Sequence, residues 1–130
     1  MTAIDLILAL SDPTRLRIAR LLAQEGPLCV CEVCAALAAD QPKVSRHLAR
    51  LRDAGLVRDA RIPQWAVYAL APGPEAAVRG VLAAAGALGE PGPEDAARLA
   101  VAPRPAIPDR PRAPRLTGAR PLVGERRCLT

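Results

Sequence analysis

The stretch from Leu28 to Leu51, LCVCEVCAALAADQPKVSRHLARL, constrains the fold more than any other part of the chain. It places Cys29, Cys31 and Cys34 at the start of a short apolar segment, followed by a polar turn and a segment with one apolar and one basic face. Val30, Val33 and Leu37 recur at i, i+3 and i+7, which predicts a helix over residues 29–38 with one buried face. Asp40 suits the N-cap of a second helix over 41–54, Pro42 fits its first turn, and Gly55 is the expected stop. Val44, Leu48 and Leu51 form its buried stripe, so Lys43, Ser45, Arg46, His47 and Arg50 project elsewhere. A helix, a short turn and a basic second helix make the helix-turn-helix plan, whose second helix enters the DNA major groove.

The flanking sequence extends this plan. Residues 3–10 (AIDLILAL) predict a short helix so apolar that the domain or a second subunit must cover it. Ser11 and Asp12 are good N-caps, with Pro13 in the first turn of a helix running to about Ala23. Its Ile18, Leu21 and Leu22 face inward, and Gly26-Pro27 ends it. Leu56 to Arg61 and Trp65 to Leu70 read as two strands joined by Ile62-Pro63-Gln64, with Val57, Val67 and Leu70 inward. A hairpin directly after a helix-turn-helix is a wing. Residues 75–88 are Ala-rich and helical, and a weak helix is expected over 94–101.

Composition fits packed helices. The chain is 51% hydrophobic but only 2% aromatic and lacks Phe, so Leu, Val, Ile and Ala must form the core. The formal charge of +5 is uneven: residues 101–130 carry seven arginines against Asp109 and Glu125, together with six prolines. Such a segment cannot bury a core, and it reads as a largely disordered tail. The resulting division is a DNA-binding and dimerisation domain over 1–90 and a Pro/Arg-rich tail over 91–130. No export signal or membrane-length apolar run is visible, so a cytoplasmic protein with no membrane partner is expected, its four cysteines reduced thiols. One histidine without a paired acid or nucleophile offers no catalytic constellation, and no enzyme is expected.

The three thiols carry the chemistry. On an ideal helix Cys31 and Cys34 are neighbours, while Cys29 lies about 200° around from Cys31. One ion held by all three therefore requires the first turn to distort, straining the helix that supports the DNA-reading helix. A single cysteine would read as a small buried hydrophobe; three in six residues argue for a soft-ion site. Cys31-Glu-Val-Cys34 is also a C-x-x-C, so a thiol redox sensor, or a thiol protein sequestering soft metals, remains the alternative. Cys128 is either incidental or an extra ligand brought in by the tail.

In the second helix, Gln41, Lys43, Ser45, Arg46 and His47 occupy the half that meets base edges. Arg50 and the wing residue Arg61 extend the basic surface. Gln41 and Arg46 suit bidentate base contacts, and Lys43 and Ser45 suit phosphates. One such module buries little DNA surface, so a homodimer on palindromic operator DNA is expected, through residues 3–10 and 75–88.

The segments LSDPTRLRIARLL (10–22), LCVCEVC (28–34), QPKVSRHLARLRDAGLV (41–57) and AVYAL (66–70) together resemble the ArsR/SmtB family of winged-helix metalloregulatory repressors. LCVCEVC is similar to the thiol signature of the arsenic-responsive branch, and QPKVSRHL to the family's recognition-helix signature. The wing departs from the pattern, with Ile62-Pro63 where relatives usually have a Gly-containing basic turn. The resemblance implies a mainly α, dimeric winged helix-turn-helix with a small β-hairpin. It implies a repressor that releases operator DNA when Cys29, Cys31 and Cys34 bind trivalent arsenic or antimony. That ion is an inducer ligand, and no prosthetic group is implied.

Overall fold

A computed structural model describes residues 1–62, 64–89 and 92–107. Its elements run α1 (Ala3–Ala9), α2 (Pro13–Glu25), β1 (Leu28–Cys29), α3 (Val30–Leu37), α4 (Gln41–Asp53), β2 (Val57–Ile62), β3 (Trp65–Leu70), α5 (Glu75–Ala87) and α6 (Pro93–Val101). Local chemistry sets these bounds. Asp12 caps α2 by accepting from Arg15 N at 3.0 Å. Gly26 (φ 77°) and Gly55 (φ 85°) turn the chain at the ends of α2 and α4 through the left-handed region that glycine enters without strain.

α2 lies at the centre, packed against α3, α4, α5, α6 and β3. Its Ile18, Leu21 and Leu22 join Val33 and Leu37 of α3, and Val44, Leu48 and Leu51 of α4, in one core. The helix-turn-helix of α3 and α4 is thus fastened to the rest of the molecule through apolar burial, at roughly 1.5–3 kcal/mol for each large aliphatic side chain. The hairpin β2–β3 follows in full register from Val57↔Leu70 to Ile62↔Trp65, completing a winged helix-turn-helix. Among the described residues, no helix is long and apolar enough to cross a membrane.

Two features differ from the sequence expectation. First, the sheet has a third strand: β1 pairs antiparallel with β3 through Leu28↔Tyr68 and Cys29↔Val67, giving the order β1-β3-β2. Cys29 therefore ends a strand rather than opening a helix. Second, the packed region continues past residue 90. α6 packs on α3, and the chain remains in contact with it as far as Ile107. Asp95, almost fully buried, accepts from Arg17 and Arg98 at 2.7 Å each. Arg98 also reaches Ala36 O at 2.7 Å, and Arg17 reaches Leu37 O at 3.2 Å. The helix expected over 94–101 is α6, and paired charges and helix-end hydrogen bonds fasten it to the domain expected to end at 90. The rest of the expected tail, 108–130 with Cys128, lies outside the described residues.

Candidate thiol site and DNA-reading helix

Side chains alternate along a strand, so β1 sends Leu28 into the main core and Cys29 to the opposite face of the sheet. There Cys29 forms a small second cluster with Trp65, Val67 and Ile107, with Cys31 at its edge. Val67, expected in the core, is buried on this outer face. All of β3 is buried because the main core covers one face and Ile107 closes over part of the other.

Cys29 is also the N-cap of α3, with extended backbone (φ −83°, ψ 165°). Its N–H donates to Glu32 Oε1 at 2.9 Å, satisfying one of the donors a helix start leaves over. Held this way, Cys29 Sγ lies 2.9 Å from Cys31 Sγ. The distortion expected of the first turn is unnecessary for this pair, since Cys29 already stands outside an intact helix. Cys34, one turn further along, packs at the edge of the main core. No disulfide joins the three, and among the described residues no group of three or more His, Cys, Asp or Glu side chains is arranged to hold a metal ion. The structure thus brings together two sulfurs of the expected triad, with the third on the same helix.

Glu32 was not expected at the site. Its carboxylate is buried, and its second oxygen meets Arg104 Nε at 2.6 Å. The spacing Cys29-x-x-Glu32 matches a capping-box pattern and could have pointed to it. Nothing local could have found Arg104, 72 positions away.

On α4, Lys43, Arg46 and Arg50 are exposed and Gln41 is half-buried. Arg61 is exposed in the wing. Two expected contacts sit differently. The Ser45 hydroxyl is buried and, among the described residues, has no hydrogen-bond partner. His47 is half-buried against the start of α2, its Nδ1 3.4 Å from Arg15 Nη1 and 3.8 Å from Asp12 Oδ2. Burial holds its imidazole below the ordinary histidine range. Arg15, Lys43 and Arg46 push the same way, and Asp12 opposes them. Arg15 also donates from Nε to Ala9 O at 2.7 Å, so one guanidinium touches α1 and α4 together.

The family model described as "Bacterial regulatory protein, arsR family" matches residues 12–59, the span from α2 through the helix-turn-helix into β2. The chain is also 32% identical to the solved AntR antimony-specific transcriptional repressor, covering 67% of this chain and 76% of that one with a TM-score of 0.60. The chain belongs to the ArsR family. Within the family it is 56% identical over 63 residues to the arsenic resistance transcriptional regulator ArsR1 of Pseudomonas putida, 48% of this chain and 49% of that relative. The matched stretch thus spans about half the length of that curated relative. A homodimeric winged helix-turn-helix DNA-binding domain from Mycobacterium bovis superposes with a TM-score of 0.55 at 27% identity, covering 66% of this chain and 76% of that one. These ArsR-family relatives are transcription regulators rather than enzymes.

Proposed function

We propose that this ArsR-family chain is a homodimeric repressor that holds operator DNA until trivalent arsenic or antimony is captured by Cys29, Cys31 and Cys34. The observation that carries the reading is the position of the Cys29–Cys31 sulfur pair, 2.9 Å apart at the head of the helix that leads into α4. Similarity to an arsenic resistance transcriptional regulator and to an antimony-specific transcriptional repressor supports the choice of ion. Three thiols suit it chemically, because trivalent arsenic is soft and takes three sulfur ligands in a pyramid. In the exchange, arsenous acid gives up three hydroxyls as water, each taking a thiol proton, and three As–S bonds replace three As–O bonds with no change in oxidation state.

Capture is coupled to DNA because α3, which carries Cys31 and Cys34 and starts directly after Cys29, packs on α4. Drawing Cys29, Cys31 and Cys34 onto one ion shifts α3, and with it the angle at which Arg46, Gln41 and Lys43 meet the groove. The coupling is reciprocal, so DNA weakens ion binding by the factor by which the ion weakens DNA binding. Ile4, Ile7 and Leu8 of α1, with Leu88 after α5, are large exposed apolar side chains and form the dimer face. The dimer places its two α4 helices in half-sites about one DNA turn apart. Such a repressor works where the operator is, in the cytoplasm.

The test is fluorescence anisotropy on the chain's own upstream DNA under reductant, titrated with arsenite. Wild type binds tightly and releases. Cys31→Ser and Cys34→Ser bind equally and are retained. A variant that still releases normally refutes the site. The closeness of the two sulfurs also favours a second reading as a redox sensor, in which oxidant releases the DNA and arsenite does not.

A further inference from the structure

After α6 the chain runs back along α3 toward the thiols. Arg98 contacts Ala36 near the C-terminal end of α3, Arg104 contacts Glu32 in its first turn, and Ile107 joins the buried cluster of Cys29, just before its start. Contacts that step down α3 as the later chain steps up define an antiparallel course. The end of this segment is anchored in two ways. Arg104 is paired with the carboxylate that fixes the Cys29 backbone, and Ile107 is buried in one cluster with Cys29, Trp65 and Val67.

The cover is selective. Cys29 has no solvent exposure, whereas Cys31 and Cys34 are partly exposed. A solute therefore meets two of the three thiols directly and the third only after something moves. We propose that residues 102–107 form a strap that governs the order in which the site fills: ligand seats first on Cys31 and Cys34, and gains Cys29 only when Arg104 releases Glu32 and Ile107 lifts from the sheet. The proposal rests on the three thiols being the ion site. In balanced form, arsenous acid first reacts with two thiols to give a bis-thiolate bearing one remaining hydroxyl, with two waters released. The Cys29 thiol then displaces that hydroxyl as a third water. An arsenical carrying one carbon substituent has only two exchangeable positions. It is satisfied by Cys31 and Cys34 alone and does not require the strap to open.

The strap is tested without any arsenical by pulsing the full-length, reduced protein with iodoacetamide and following each cysteine by peptide mass spectrometry. In wild type, Cys29 reacts about tenfold or more slowly than Cys31 and Cys34, the signature of a local opening equilibrium. Arg104→Gln and Ile107→Ala raise the Cys29 rate by about tenfold and leave the other two within about twofold. Arg104→Lys restores the cation and returns Cys29 toward the wild-type rate. Ile107→Val trims a single methylene, so its fold is not in question, and it gives a smaller acceleration confined to Cys29. Cys29 reacting as fast as Cys31 in wild type overturns the strap. So does an Ile107→Val variant that accelerates all three thiols equally. Phenylarsine oxide and arsenite are then compared by stopped flow. Arg104→Gln speeds a late arsenite phase and leaves the phenylarsine oxide trace unchanged, and equal effects on both also overturn the proposal. Failure of wild type to bind either arsenical refutes the ion site, while the alkylation pattern still judges the strap.

Discussion

The sulfur of Cys29 lies 2.9 Å from that of Cys31 because one residue ends a strand and the other opens a helix. Two neighbours fix this geometry. Val67 holds Cys29 in the β1–β3 ladder, and Glu32 accepts its N–H. Backbone hydrogen bonds on both sides of Cys29 thus help to place the sulfur pair.

Glu32→Ala is expected to loosen that arrangement at a measurable cost. It removes the acceptor of a buried N–H and the cap of α3, which costs about 1–3 kcal/mol. Glu32→Gln keeps an acceptor and loses less. Urea unfolding followed by circular dichroism checks both, and a Glu32→Ala variant as stable as wild type would show that the cap carries no weight.

On α4, Arg46 and Lys43 are both exposed and, under the proposed function, are expected to behave differently. Arg46→Ala should weaken operator binding by about 1–3 kcal/mol and relax discrimination at one base pair, whereas Lys43→Ala lowers the salt slope by about one. Anisotropy titrations at several salt concentrations, on operator and scrambled DNA, separate the two. Equal loss on both DNAs for Arg46→Ala would assign it to phosphate.

Ile7 projects from α1 beside Ile4 and Leu8. Ile7→Glu places a charge in that apolar face and is expected to yield a folded monomer in sedimentation, with specific DNA affinity reduced by about a hundredfold or more. A variant that remains dimeric would move the interface away from α1.

His47 makes the fold sensitive to acid. Its imidazole titrates below the ordinary value, chiefly through burial, so the folded protein favours the neutral ring. As pH falls below about 6.5 the unfolded chain takes up the proton first. The contribution of His47 is complete above that pH and declines until the lowered folded value is passed. Between pH values of about 7.5 and 5.5, wild type should lose more unfolding free energy than His47→Gln. Equal losses would show that the ring is not the group responsible.

The parts of this architecture that follow local rules were readable from the sequence. Pro13 after Asp12, the Val44-Leu48-Leu51 stripe and the two runs flanking Pro63-Gln64 placed α2, α4 and the wing almost to the residue. β1 was not readable, because a two-residue strand has no period and Cys29 fits a helical pattern equally well. The segment 102–107 was missed for a related reason. Its two prolines and one arginine say nothing of Glu32 or Val67, which become its neighbours only through folding. His47 looked like one more basic residue on α4, and its capture by Asp12 and Arg15 is likewise a contact between distant segments.

The grip of Arg17 and Arg98 on the carbonyls of Leu37 and Ala36 bears on anyone trimming the chain to a minimal DNA-binding unit. Cutting after the wing and α5 would preserve every residue of the helix-turn-helix. It would also remove Arg98 and Asp95, the second of which holds Arg17 in place, and Arg104 from the other end of α3. The short helix α3 would then be left with frayed ends, and under the proposed function a truncated protein that still bound DNA would report on the ion with a slackened lever.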